Sequence, residues 1–157
     1  MIVETIVLEI NRSTLEEYFR HYKKLHPRAR KNPIEKFHHP SINQWAVWTR
    51  MKANKVKQDY KDFIVWLVDK NGYSDHRIID KCEVEYHIYF DNHIRRDNDN
   101  YAPKFIMDGV TESGLWVDDD SKHVKKLSVI CDFDKENPRS ELIIFVFKYK
   151  EENEYDD

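Results

Sequence analysis

The sequence predicts one α+β domain in the order β-α-α-β-α-β-β, with a small mixed or antiparallel sheet packed by helices. Three observations lead there. A chain of 157 residues that is 40% apolar and 13% aromatic is long and greasy enough for a single core. Four stretches are β-branched or alternate with period two, the pattern of half-buried strands. Three other stretches place apolar residues at helical spacing between recognisable start and stop signals. With only 3 glycines and 5 prolines, no flexible linker, repeat or second domain is expected. Residues 1–150 form the predicted domain, and residues 151–157, EENEYDD, read as an acidic disordered tail.

Taken in order, Ile2 to Ile10 is the first strand. Ser13-Thr14-Leu15-Glu16 then has the form of a capping box, and a helix is expected to Leu25 with Leu15, Tyr18, Phe19 and Tyr22 on one side. Prolines at 27, 33 and 40 make the next segment a loop. Ser41 is placed to cap a long helix from Ile42 to Lys70, with Trp45, Val56, Tyr60, Phe63 and Leu67 on the buried face and Asn71-Gly72 closing it. Val84 to Phe90 alternates as a strand. Pro103 suits the first turn of a short helix ending at Gly114. Leu127 to Cys131 and Glu141 to Tyr149 are the last two strands, and the turn chemistry of Asn137-Pro138 predicts a hairpin loop between them.

Charge divides the chain. Between Arg20 and Lys61 there are 12 basic and 2 acidic residues, whereas Cys82 to Asp157 holds 10 basic and 19 acidic. A basic half can neutralise phosphates, and clustered carboxylates can hold a hard cation. Arg28, Arg30 and Lys31 in the loop, and Arg50, Lys57 and Lys61 at helical steps, are candidate nucleic-acid contacts. Met1 to Ile10 carries two glutamates and no basic leader, so a secretory signal is not expected, and no apolar run is long enough to cross a membrane. Cys82 and Cys131 are expected as free thiols, and a cytoplasmic location follows. His21, His26, His38 and His39 have no cysteine near them and no zinc-binding spacing.

The densest chemical signal is Arg95-Arg96-Asp97-Asn98-Asp99-Asn100, directly after the Val84–Phe90 strand. In an extended chain residues i and i+2 point the same way, so Asp97 and Asp99 are expected to converge, and converging carboxylates call for a cation. Asp118, Asp119 and Asp120 follow the short helix, and a strand–helix–turn unit brings them back beside the first pair. Carboxylates without a Cys/His cluster favour magnesium over zinc. An EF-hand fails, because Ala102 stands where the loop needs glycine. Lys104 and Asp108 are four apart and share a helix face.

The ordered set RRDNDN, then the lysine and aspartate of KFIMDGV, then SGLWVDDD resembles the RusA family of Holliday-junction resolvases. DFDKENPRSE, 132–141, is similar to the hairpin before the last strand in a Gram-positive and phage branch of that family. The similarity spans about residues 84 to 147. It implies a metal-dependent endonuclease that cuts four-way DNA junctions by paired nicks. Asp97, Asp99 and Asp119 match its metal-binding aspartates, and Lys104 its catalytic lysine. Asn100, Asp108 and Asp118 match supporting positions, and Arg95 and Arg96 would face DNA. Mg²⁺ is the implied cofactor, with Mn²⁺ as the substitute. Paired cutting implies a homodimer, and Trp45, Trp48 and Trp66, on more than one side of their helix, are candidates for its surface. The alternatives are a nuclease that prefers other branched DNA and a non-catalytic nucleic-acid-binding module of the same fold. The N-terminal part departs from the family, since Asn11-Arg12-Ser13-Thr14 and a helix stand where a Pro- and Asn-rich stretch is typical.

Overall fold

The computed structural model describes residues 1–152; the acidic tail therefore lies almost wholly outside the described residues. The elements are β1 (Glu4–Asn11), α1 (Arg12–Leu25), α2 (Ile42–Trp45), α3 (Arg50–Lys70), β2 (Ile79–Phe90), α4 (Lys104–Ser113), β3 (Val124–Phe133) and β4 (Arg139–Tyr149), with a 3-10 turn at Asn98–Tyr101. The α+β class and the element order agree with the sequence. The sheet is mixed, in the order β1-β4-β2-β3. β4 runs antiparallel to both β1 and β2, and β3 runs parallel to β2.

That order corrects one expectation. β3 and β4 do not form a hairpin, because β2 lies between them. The 134–138 connection instead crosses the end of β2, where the Asp134 amide donates to the Phe90 carbonyl at 2.9 Å. Arg139 braces the crossing with ion pairs to Asp134 at 2.9 Å, Glu141 at 2.7 Å and Glu9 at 3.3 Å.

Two helix starts also differ. The N-cap of α1 is Asn11, whose side chain accepts from the Thr14 amide at 2.8 Å while Thr14 Oγ1 answers the Asn11 amide. Ser13 and Glu16 are exposed. Asn11 wins because the strand runs straight into the helix, and an extended residue must serve as cap. The long helix expected from Ile42 to Lys70 is two helices. Ser41 caps the first and Thr49 the second, each accepting an amide three residues on at 3.2 Å. A threonine that bonds the backbone this way opens a helix and cannot lie inside one.

The core lies between one sheet face and the helices. Ile6, Leu8, Ile10, Val84, Tyr86, Ile88, Leu142, Ile144 and Val146 meet Tyr60, Phe63, Ile64, Leu67 and Val68 of α3 and Phe105, Ile106 and Val110 of α4. α3 and α4 touch at Gly109, where an added Cβ would lie 2.6 Å from the Cβ of Ile64. α4 ends as the sequence suggests, with Gly114 left-handed at φ 77°. The thiols are free, Cys82 being buried and Cys131 half-buried. No described helix is long and apolar enough to cross a membrane.

Candidate active site

The Asp97–Asn100 segment follows the C-terminal end of β2. Its asparagines are bonded inward. Asn98 Oδ1 accepts from the Cys131 amide on the edge strand at 2.9 Å, and Asn100 Oδ1 accepts from the Asn43 amide of α2 at 3.1 Å. The aspartates between them face solvent: Asp97 and Asp99 are exposed. Residues 98–101 form a 3-10 turn, so the expected extended-chain alignment of the two carboxylates is absent. With three residues per turn, positions i and i+2 diverge.

Arg96 has a structural task. Its guanidinium bonds Asn92 Oδ1 at 2.8 Å and the Ile94 carbonyl at 2.9 Å, and lies 3.6 Å from the Phe90 ring centre. It holds the loop and does not face outward as expected, whereas Arg95 is exposed. His93 stacks on Phe133 at 3.7 Å.

Lys104 opens α4 and is exposed. It forms no ion pair with Asp108 or any other described residue. The next amide, Phe105, is bound by a residue with no chemical motif around it, His39. His39 is wholly buried. Its Nε2 accepts from Phe105 N–H at 3.0 Å, and its Nδ1–H donates to the Pro40 carbonyl at 2.8 Å. Its own amide donates to Tyr86 Oη at 2.9 Å. An amide donor on one ring nitrogen and a carbonyl acceptor on the other leave only the neutral ring. Burial accordingly lowers its pKa to about 4. His39 thus ties the loop to β2 and to the turn bearing Lys104. A histidine between prolines carries no signal of such a distant partner.

The Asp118–Asp120 loop is built differently. Val117 N–H donates to Ile79 at the start of β2 at 3.1 Å, and Val124 pairs with Cys82. Asp118 accepts from the Asp119 amide at 2.7 Å, and Asp120 Oδ1 caps Lys122 and His123 at 3.1 and 3.2 Å. Partial burial, then the Asp118 side chain, then the charge of Asp108 push the Asp119 carboxyl above its usual range. Buried His123, a second residue that the sequence did not single out, locks this loop down by bonding the Asp80 carbonyl at 2.8 Å and its carboxylate at 3.0 Å.

The two acidic segments therefore stand at opposite ends of the β2–β3 pair. Asn98 is tied to Cys131, opposite Ile88; Val124, just past the second segment, is opposite Cys82. Six residues of strand separate those levels, about 20 Å. A crossover to a parallel partner must return to the beginning of that strand, so the segment after α4 comes down at the far end of β2 from the segment before it. Among the described residues, no three His, Cys, Asp or Glu side chains gather closely enough to hold a metal ion. The carboxylates expected to bind Mg²⁺ together do not, in this arrangement, fit such a site.

Of the predicted basic contacts, Arg28, Arg30 and Arg50 are exposed, Lys31 pairs with Glu35 at 3.8 Å, and Lys57 and Lys61 are half-buried. The three tryptophans proposed for a dimer surface pack on their own chain. Trp45 and Trp48 lie 5.5 and 6.4 Å from Phe105, and Trp66 lies 5.2 Å from Tyr18. No family model and no curated protein matches the chain.

Proposed function

We propose that this protein is a structure-selective DNA endonuclease that resolves four-way junctions by paired nicks, acting as a homodimer. One observation carries the reading: the His39–Phe105 and Asn43–Asn100 bonds draw the basic segment onto the stretch holding Asp97, Asp99 and Lys104. The loop and the helix within the basic segment are thus bonded directly to a stretch with two exposed carboxylates and an unpaired lysine. The cations would hold the DNA backbone without reading its sequence. Lys104 would neutralise charge that develops on the scissile phosphate. The resemblance to the RusA family supports the substrate and implies Mg²⁺ or Mn²⁺. Because Asp119 lies elsewhere, the ion enters the proposal as a requirement to be tested in solution.

A second reading has a specific observation in its favour. The separation of Asp119 from Asp97 and Asp99 suits a non-catalytic DNA-binding module of the same fold. Labelled synthetic four-way junction, incubated with Mg²⁺, with Mn²⁺ and with EDTA, separates the two. Paired symmetric nicks that need the cation and vanish in Asp99→Asn support the nuclease. Tight binding without cutting under every condition supports the module.

A further inference from the structure

The basic half holds a cavity of about 180 Å³ that the proposed cleavage chemistry does not use. It opens between the 26–40 loop and the start of α3. Trp48 and Pro33 supply apolar wall, the Gln44 amide one donor and one acceptor group, and Lys36 and Lys52 the positive charge. The space is well below that of a drug-sized site and suits one small planar ring. The Trp48 indole runs nearly parallel to the Phe105 ring, at 10° with the ring centres 6.4 Å apart. The Lys52 ammonium lies over the Trp48 ring, 5.0 Å from its centre, and has to swing off that face toward a phosphate for a base to stack there. Neither Lys36 nor Lys52 forms an ion pair with a described residue. The one carboxylate in the wall, Glu35, is already paired with Lys31.

An aromatic plane, an amide and two cations without an ion pair are what a nucleobase and its phosphate need. The plane stacks with the base, the amide meets its edge and the ammonium groups take the phosphate. A base inside intact duplex cannot enter, because both its faces are already stacked and its edge is paired. We propose that this cavity binds one unpaired nucleobase of DNA against Trp48, with the adjoining phosphate on Lys36 and Lys52. This rests on DNA being the substrate and deepens that reading, since it gives the protein a way to tell a branch point or strand end from continuous duplex.

The test uses the full chain in EDTA, where no cutting confuses binding. Oligothymidylate of about ten nucleotides, within the length one single-strand site covers, and blunt duplex of equal length are titrated by fluorescence anisotropy. Trp48→Ala is expected to weaken oligothymidylate binding about tenfold while duplex binding changes less than about twofold. Trp48→Phe keeps an aromatic wall and is expected to recover most of the loss. Lys52→Ala is expected to flatten the dependence of log affinity on log salt by about one. The proposal is overturned by equal losses on single strand and duplex, by no binding of oligothymidylate to wild type, or by a normally folded Trp48→Phe that binds as weakly as Trp48→Ala. Junction cleavage is scored separately. A protein that cuts junctions but ignores oligothymidylate refutes the cavity alone, and one that binds oligothymidylate but never cuts refutes the nuclease alone.

Discussion

The two aspartate-rich segments of this chain are similar in composition and opposite in construction. In 97–100 the asparagines make the structural bonds and the aspartates are left exposed. In 118–120 the aspartates cap amides, and Asp119 sits among like charges. Carboxylates spent on backbone amides hold a turn together. Carboxylates held out by neighbouring asparagines remain free for a ligand. The difference leaves the first segment open for the proposed chemistry and ties the second into the fold.

The sharpest way to break that distinction is Asp99→Asn. Junction cleavage is expected to fall about a thousandfold, some 4 kcal/mol of barrier, with an unchanged melting temperature. A loss of stability without loss of cutting would place Asp99 with the carboxylates tied into the fold. The same assay on Asp119→Asn sharpens the comparison, since an equal loss of cutting would join the two segments into one centre when DNA is bound.

His39 secures the end bearing the first segment, and its replacement should be the next largest effect. His39→Ala leaves the Phe105 amide unbonded in the core and opens a cavity, so denaturant melts should show a loss of about 3 kcal/mol. Acid acts on the same bond. The folded-state pKa is about 4, below the unfolded value near 6.5. The stability it confers is complete above pH 6.5 and is lost as pH falls through 4. Wild type should therefore lose about 3 kcal/mol more than His39→Ala between those limits, measured by urea melts across the range.

Gly109 lies on the helix that connects the two ends. Gly109→Ala drives a methyl into Ile64 and is expected to cost about 2 kcal/mol. Smallest of all, Asp119→Asn removes a charge repelled by Asp108 and Asp118. It should raise stability at pH 7 by less than about 1 kcal/mol, because the group is largely solvent-screened. A fall in melting temperature instead would mean that its carboxylate is a structural acceptor.

Legibility followed range. Periodicity located the β2 and β4 strands, the buried face of α3 and the Gly114 stop, since those depend on neighbouring residues. The choice of Asn11 over Ser13 as cap, and the break at Thr49, turned on which of several nearby polar side chains reached an amide. The false hairpin and the misplaced Asp119 had a different origin. Nothing local to 132–140 or 118–120 says that β4 enters between β1 and β2, or that the crossover lands some 20 Å away. His39 was legible only as an unsuitable zinc ligand, because its partners Phe105 and Tyr86 are distant in sequence.

The position of β4 has a consequence for how the molecule is made. It follows the other three strands of the sheet in the chain, yet it is bonded on both sides, to β1 and to β2. Until residues 139–149 have been synthesised, β1 has no strand to pair with, and the apolar side chains of Ile6, Leu8 and Ile10 wait without their sheet. Helical segments can form early, but this sheet can only close after β4 has been made. Such long-range closure is slow, and until it happens the unpaired edge of β1 is open to other chains.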